Sequence, residues 1–308
     1  MSNFIINPYR FSVAAATFSN SRSLSKSTTT GEGNCVRLVS ASDTETTFFN
    51  NIFGSNTAAF SISMWIKAGW TNNLNTNIHF FAVNDGSSTG RNQQVRIFYT
   101  ESNNRLEFRM GQDNNNRSVN FWALHSNLSE TGLQSSSPSH YWSGASATTR
   151  GSVNSNDFTH LVITKGTGGT LSASNIAAYW NGNKLNNPFY TNGNNFGTIN
   201  MTDTTSARRI CIGSNAHSFS KSGDNSNTIY DEISIFNIQL SDSQVTSLYN
   251  GGVPQDASSV PDDAEEIRAH YRFEGGAGSQ NEVVSSVDSG NAPQVDINGD
   301  SSTTNDPA

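Results

Sequence analysis

Residues 228–252, TIYDEISIFNIQLSDSQVTSLYNGG, change period halfway along, and that switch limits what the chain can become. In the first half Ile229, Asp231, Ile233 and Ile235 alternate with Tyr230, Glu232, Ser234 and Phe236, the period-two pattern of a strand with two distinct faces. The second half takes helical spacing. Ser241 is placed to cap, Gln244 to close a capping box three residues on, and Leu240 to staple against Val245. Val245, Leu248 and Tyr249 then form a short apolar stripe, and Gly251 stands where a helix leaves through a left-handed residue. A strand, a tight connection and about two turns of helix follow directly.

More strands surround this segment. In residues 59–68 Phe60, Ile62, Met64 and Ile66 alternate with Ser61, Ser63, Trp65 and Lys67, so Trp65 falls on the polar face and needs a cover. Residues 78–83, 94–100 and 105–110 read as strands, the last two as a hairpin through 101–104. Arg105, Glu107 and Arg109 make a charged row there, read as a solvated face that discourages edge pairing. Strands follow at 157–165, at 176–180, where Asn181-Gly182 suits a type I′ turn, and at 209–213. The formal charge of −7 argues against a surface for duplex nucleic acid, and no apolar run reaches membrane-spanning length. Asparagine outnumbers lysine and arginine together, as suits long polar loops on a β framework.

The 228–252 pattern, with FSISMWIK at 60–67 and DFTHLVITK at 157–165, resembles the laminin-G-like, concanavalin A-like jelly rolls, in particular members found in marine phage and virus structural genes. The resemblance covers roughly residues 31–275. It implies an all-β, two-sheet antiparallel sandwich with one short helix after the penultimate or last core strand, and a binding or structural role ahead of catalysis. The expected organisation is an N-terminal arm (1–30), the jelly roll (31–252), then a linker, a returning strand (269–273) and a polar extension to 308. Phe4, Ile5, Tyr9 and Phe11 in the arm are read as an assembly anchor, with packing on the arm's own domain as the alternative. No secretion signal opens the sequence, so synthesis in a host cytoplasm and display on a virion surface are expected.

The fold class implied also hosts glycosidases, which require two carboxylates about 5 Å apart across the scissile bond. Asp231 and Glu232 are adjacent and alternate between faces, and no strand supplies an alternating acidic set. No HExxH, phosphate loop or G-x-S-x-G elbow occurs either, and His160 reads as a hydrogen-bonded sheet histidine. Alternation puts Asp231 beside Ile233 and Ile235, where a carboxylate demands donors. It is read as accepting backbone N–H groups that fix the helix connection, with a calcium ligand, as the relatives' loops imply, as the alternative. No cofactor is required on this reading.

Cys35 and Cys211 lack CxxC partners and read as buried thiols, a bridge between neighbouring strands being the alternative that the resemblance allows. Trp70, Trp122, Tyr141 and Trp142 lie in polar stretches and are candidates to stack on sugar rings, against the alternative that they pin long loops. The leading expectation is therefore a non-enzymatic structural protein of a tailed phage, a capsid decoration or tail-fibre component, meeting other virion proteins or copies of itself. A carbohydrate-binding module for host surface glycans is the alternative, and a glycoside hydrolase the second alternative.

Overall fold

The structure is a computed structural model that describes residues 24–25, 36–39, 52–53, 57–67, 77–84, 93–100, 105–110, 118–121, 133–136, 139–142, 158–169, 175–184, 189–190, 209–213, 229–262, 266–271 and 294–296. Its strands are β1 (Leu24–Ser25), β2 (Val36–Val39), β3 (Phe60–Lys67), β4 (Asn77–Asn84), β5 (Gln93–Thr100), β6 (Arg105–Met110), β7 (Ser118–Phe121), β8 (Leu133–Ser136) and β9 (Ser139–Trp142). They continue as β10 (Thr159–Lys165), β11 (Ile176–Trp180), β12 (Asn183–Lys184), β13 (Phe189–Tyr190), β14 (Arg209–Ile212), β15 (Ile229–Phe236), β16 (Ile267–Tyr271) and β17 (Gln294–Asp296), with helix α1 (Asp242–Tyr249) after β15.

Among the described residues these strands form two large antiparallel sheets and a small ribbon, β8–β9. The first sheet runs β1-β15-β3-β10-β11-β12, with β16 also on β15; the second runs β13-β7-β6-β5-β4-β14-β2-β17. The fold is the expected all-β jelly-roll sandwich. Phe60, Ile62, Met64 and Ile66 share the inner face of the first sheet with Leu161, Ile163 and Trp180, all buried. Val95, Ile97 and Phe108 line the facing side of the second. Phe60 and Phe108 meet across the gap at 6.4 Å between ring centres, and Tyr230 donates its hydroxyl to the His79 carbonyl at 3.2 Å. Lys165 closes one end of this core, its ammonium donating to the carbonyls of Ala58, Gly166 and Gly168 at 2.7, 3.0 and 3.1 Å.

A second, smaller core lies on the outer face of the first sheet. Val162, Ala177, Tyr179, Phe236 and Ile267 project there and are covered by Leu240, Val245, Leu248, Ala257 and Val260. Helix α1 forms the lid as its sequence predicts: Ser241 caps, its hydroxyl taking the Gln244 N–H while the Gln244 side chain reaches back to the Ser241 N–H at 2.9 Å. It ends through Asn250 (φ 45°) and Gly251 (φ 66°), both left-handed. Ser61 secures the connection, donating to the Ile238 carbonyl and accepting from Leu240 N–H.

Four expectations change here. The strand β15 carries an irregularity between Asp231 and Ser234, where Glu232 adopts φ 46°. The register against β3 therefore shifts by one: Asp231 stands opposite Trp65, but Ile235 stands opposite Ile62. Asp231 is consequently on the outer face with Trp65, not on the inner face with Ile233 and Ile235. The charged strand β6 is not an edge; it pairs with β5 and β7 inside the second sheet. Residues 257–260, read as linker, contribute Ala257 and Val260 to the second core. The returning strand spans Ile267–Tyr271 and is built into the first sheet beside β15.

Candidate functional site

The outer faces of the two sheets differ in kind, and each gathers a cluster of polar groups. On the first, Trp65 is 3 % exposed, stacked on the His160 ring (4.9 Å) and under Tyr249 from the end of α1 (5.9 Å). The cover that Trp65 needs is thus the last helical turn. The His160 Nε2 and the Ser63 hydroxyl are 2.8 Å apart, a nucleophile–base spacing in form. Both side chains are shut away from solvent, and burial pushes the His160 pKa down to about 3, so the ring is neutral at pH 7 and a poor base. His160 is a sheet histidine with a hydrogen bond, as its sequence context predicts.

Asp231, 4 % exposed, accepts the Glu232 N–H at 2.9 Å. This backbone donor lies within the bulge. Beside it Glu232 and His270 (Nε2) are 2.5 Å apart, and the other His270 nitrogen lies 3.9 Å from Asp256, which caps the turn Ala257–Ser259. This array ties the covering segment to β15 and β16. Among the described residues no three His, Cys, Asp or Glu side chains are grouped to hold a metal ion, and no helix is long and apolar enough to cross a membrane.

The second sheet turns a different row outward. Arg96 lies with its guanidinium 4.2 Å from the centre of the Phe98 ring, and His79 stacks on Phe98 at 5.2 Å and 24°. The ladder extends this row across β6, β7 and β13: Glu107 stands opposite Phe98, Asn120 opposite Glu107, and Tyr190 opposite Asn120. Arg109 stands opposite Arg96, with Ser118 beyond it. Phe98 and His79 are buried and Arg96 is 9 % exposed, so these three form a fixed floor. Positions 107, 109, 118, 120 and 190, at neighbouring places in the ladder, carry hydrogen-bonding residues.

Of the residues singled out from sequence, Asp231 is described fully and sits away from this row. Tyr141 and Trp142 occupy consecutive positions of the β8–β9 ribbon, opposite Gln134 and Leu133. Trp70, Trp122, Phe4, Ile5, Tyr9, Phe11 and Cys35 lie outside the described residues. Cys211 stands opposite Arg37 where β14 pairs with β2. Arg96, Phe98 and His79 were missed as a group: only strand pairing brings β4 and β5 together, although the alternation of charge in β6 pointed to the same face.

No family model matches the chain, and no curated protein matches it. Among solved structures it is similar to the binding domain of Paraclostridial mosquitocidal protein 1, with 19 % identity over 64 % of this chain and 38 % of that one and a TM-score of 0.39. It is similar to the binding domain of botulinum neurotoxin DC in complex with rat synaptotagmin II, with 18 % identity over 70 % of this chain and 39 % of that one and a TM-score of 0.38. The CBM40 of the Ruminococcus gnavus IT-sialidase bound to α2,3 sialyllactose matches at 10 % identity over 74 % of this chain and 96 % of that one, with a TM-score of 0.43. The chain spans about two fifths of the length of the first two. These likenesses concern the fold.

Proposed function

We propose that this chain is a non-enzymatic glycan-recognition module whose binding face is the outward side of the second sheet. The observation that carries the reading is the run of hydrogen-bonding residue types at neighbouring ladder positions of the second sheet, beside the packed Arg96, Phe98 and His79. The outer face of the first sheet is sealed by an apolar lid built from Leu240, Val245, Leu248 and Val260. The second sheet carries the Arg96–Phe98–His79 floor with Glu107, Arg109, Asn120 and Tyr190 at neighbouring ladder positions. Amide, carboxylate, guanidinium and phenol residues at neighbouring positions of a sheet suit the hydroxyl-rich surface of a sugar. Stacking by Trp70, Trp122, Tyr141 or Trp142 would add to such a face and belongs to the same proposal. A glycan array probed with the full chain tests it: binding to a restricted set of saccharides is expected, and no binding to any saccharide removes the reading.

Display on a virus particle through the chain ends is the second reading. What favours it is β15, whose edge away from β3 pairs with β1 from the N-terminal arm at 229–230 and with β16 from the C-terminal extension at 233–236. Both ends of the chain therefore enter the sheet along one edge, where a neighbouring subunit could be met. Co-sedimentation of the full chain, but not of a chain lacking residues 1–30, with particles would support it; equal co-sedimentation of both removes it.

A further inference from the structure

We infer that Asn250 is a modification site: its side-chain amide hydrolyses spontaneously, and the aspartate or isoaspartate left behind loosens the end of helix α1 on the first sheet. The sequence holds Asn-Gly pairs at 181–182, 192–193, 250–251 and 298–299. Asparagine is thermolabile, and a following glycine, lacking a Cβ, leaves the next backbone nitrogen open to the asparagine side chain. The first and third of these pairs lie among the described residues, and their surroundings differ.

At 181–182 the pair is closed. Asn181 sits in the β11–β12 turn, its side-chain oxygen accepting the His160 N–H at 3.0 Å and its own N–H donating to the His160 carbonyl at 2.8 Å. Its carbonyl accepts from the Asn183 side chain at 3.1 Å. The Tyr249 ring lies over Gly182, where an added Cβ would meet Cδ1 at 2.8 Å. The pair at 250–251 is open. Asn250 and Gly251 are exposed, and a Cβ on Gly251 would find nothing within 4 Å. Among the described residues no hydrogen bond engages the Asn250 side chain. The peptide that must swing toward that side chain is tethered at its carbonyl by the Val253 N–H at 3.3 Å, a long bond.

The reaction balances with water as its co-reactant. The Gly251 nitrogen attacks the Asn250 Cγ; the N–Cγ bond forms, the Cγ–Nδ2 bond breaks, and ammonia leaves with the proton shed by the attacking nitrogen. Water then opens the cyclic imide at either carbonyl. The product at position 250 is aspartate or, with the chain routed through the side-chain carboxyl, isoaspartate. Both products act at the same place. Helix α1 has no basic residue in its last turn to meet a carboxylate at the negative end of its dipole. Isoaspartate also adds a backbone carbon where the chain leaves the helix through two left-handed residues. Tyr249, one residue earlier, is the ring stacked on Trp65 and His160.

The test is peptide mass mapping of the full chain after warm incubation at mildly alkaline pH, with labelling by an isoaspartate-specific methyltransferase as a second readout. Conversion at 250 about tenfold or more faster than at 181 is expected, because attack at 181 must wait for the turn to open. The incubation should also lower the melting temperature and shift tryptophan emission. Asn250→Gly keeps the left-handed exit without the amide and should abolish both changes. Equal conversion at 181 and 250, or conversion confined to 192 and 298, overturns the site. Equal losses of melting temperature in the unaltered chain and in Asn250→Gly overturn the loosening.

Discussion

Glu232 holds a left-handed backbone conformation (φ 46°) and at the same time places its carboxylate 2.5 Å from the buried ring of His270. A non-glycine residue there costs about 1–2 kcal/mol, and the pairing across β15 and β16 offsets it. The two contributions separate by substitution. Glu232→Ala keeps the backbone cost and takes the carboxylate away from the His270 Nε2, and should destabilise by about 1–3 kcal/mol. Glu232→Gly removes the backbone cost as well and should lose less. Denaturant unfolding of the two variants checks this: equal losses would mean that the conformation at 232 carries no strain.

Acid should weaken the fold through His160. Its pKa is lowered by burial from 6.5 to about 3 in the folded chain, so below pH 6.5 the unfolded chain takes a proton that the folded one refuses. Stability from this group is complete above pH 6.5 and falls as pH drops towards 3, by up to about 1.4 kcal/mol per pH unit. His160→Phe keeps a flat ring between Trp65 and Tyr249 and abolishes the titration. Its unfolding free energy should therefore be flatter across this range than that of the unaltered chain; parallel curves would count against a neutral His160.

Gly182 should tolerate no side chain. It sits at φ 75° in the β11–β12 turn, and a Cβ there would lie 2.8 Å from Cδ1 of Tyr249. Gly182→Ala strains the turn and pushes Tyr249 off Trp65 at once, with an expected loss of about 2 kcal/mol and a change in tryptophan emission. Leu248→Ala, in the lid itself, should cost roughly 2–5 kcal/mol through the cavity alone. A melting temperature unchanged by Gly182→Ala would show that the lid end does not pack on the sheet.

Lys165 gives a test of the sandwich end. Its ammonium satisfies three carbonyls, and Lys165→Met leaves them without that donor, costing on the order of 1–3 kcal/mol. Burial lowers the Lys165 pKa from 10.5 to about 8. Between pH 8 and 10.5 the unfolded chain holds the proton more firmly, so the folded chain gains relative stability as pH rises through this window. Lys165→Met should lack that gain, which chemical unfolding at pH 8 and pH 10 would register.

The elements that announce themselves locally were legible in the sequence. FSISMWIK alternates cleanly because its strand buries one face, and Ser241 with Gln244 spells the helix start in four residues. The bulge at Glu232 was not legible, since a left-handed position normally advertises itself with Gly or Asn and here carries Glu. Its one-residue slip moved Asp231 to the other face. Ala257 and Val260 were hidden for another reason: single apolar residues among prolines and acids change no local average, yet each joins the core shared with α1. The Arg105–Glu107–Arg109 row was visible as charge, but its meaning depended on β6 having neighbours on both sides, which is a property of the pairing.

The most direct test of where this chain binds compares two altered faces in one saccharide-binding titration. Asn120→Ala with Tyr190→Ala changes the outward row of the second sheet, and Ser247→Ala changes the exposed side of α1 over the first. Loss of about tenfold or more in affinity from the first pair of substitutions, with Ser247→Ala binding as the unaltered chain does, is the predicted result. Undiminished binding in the sheet variant, or loss only in the helix variant, would contradict the account.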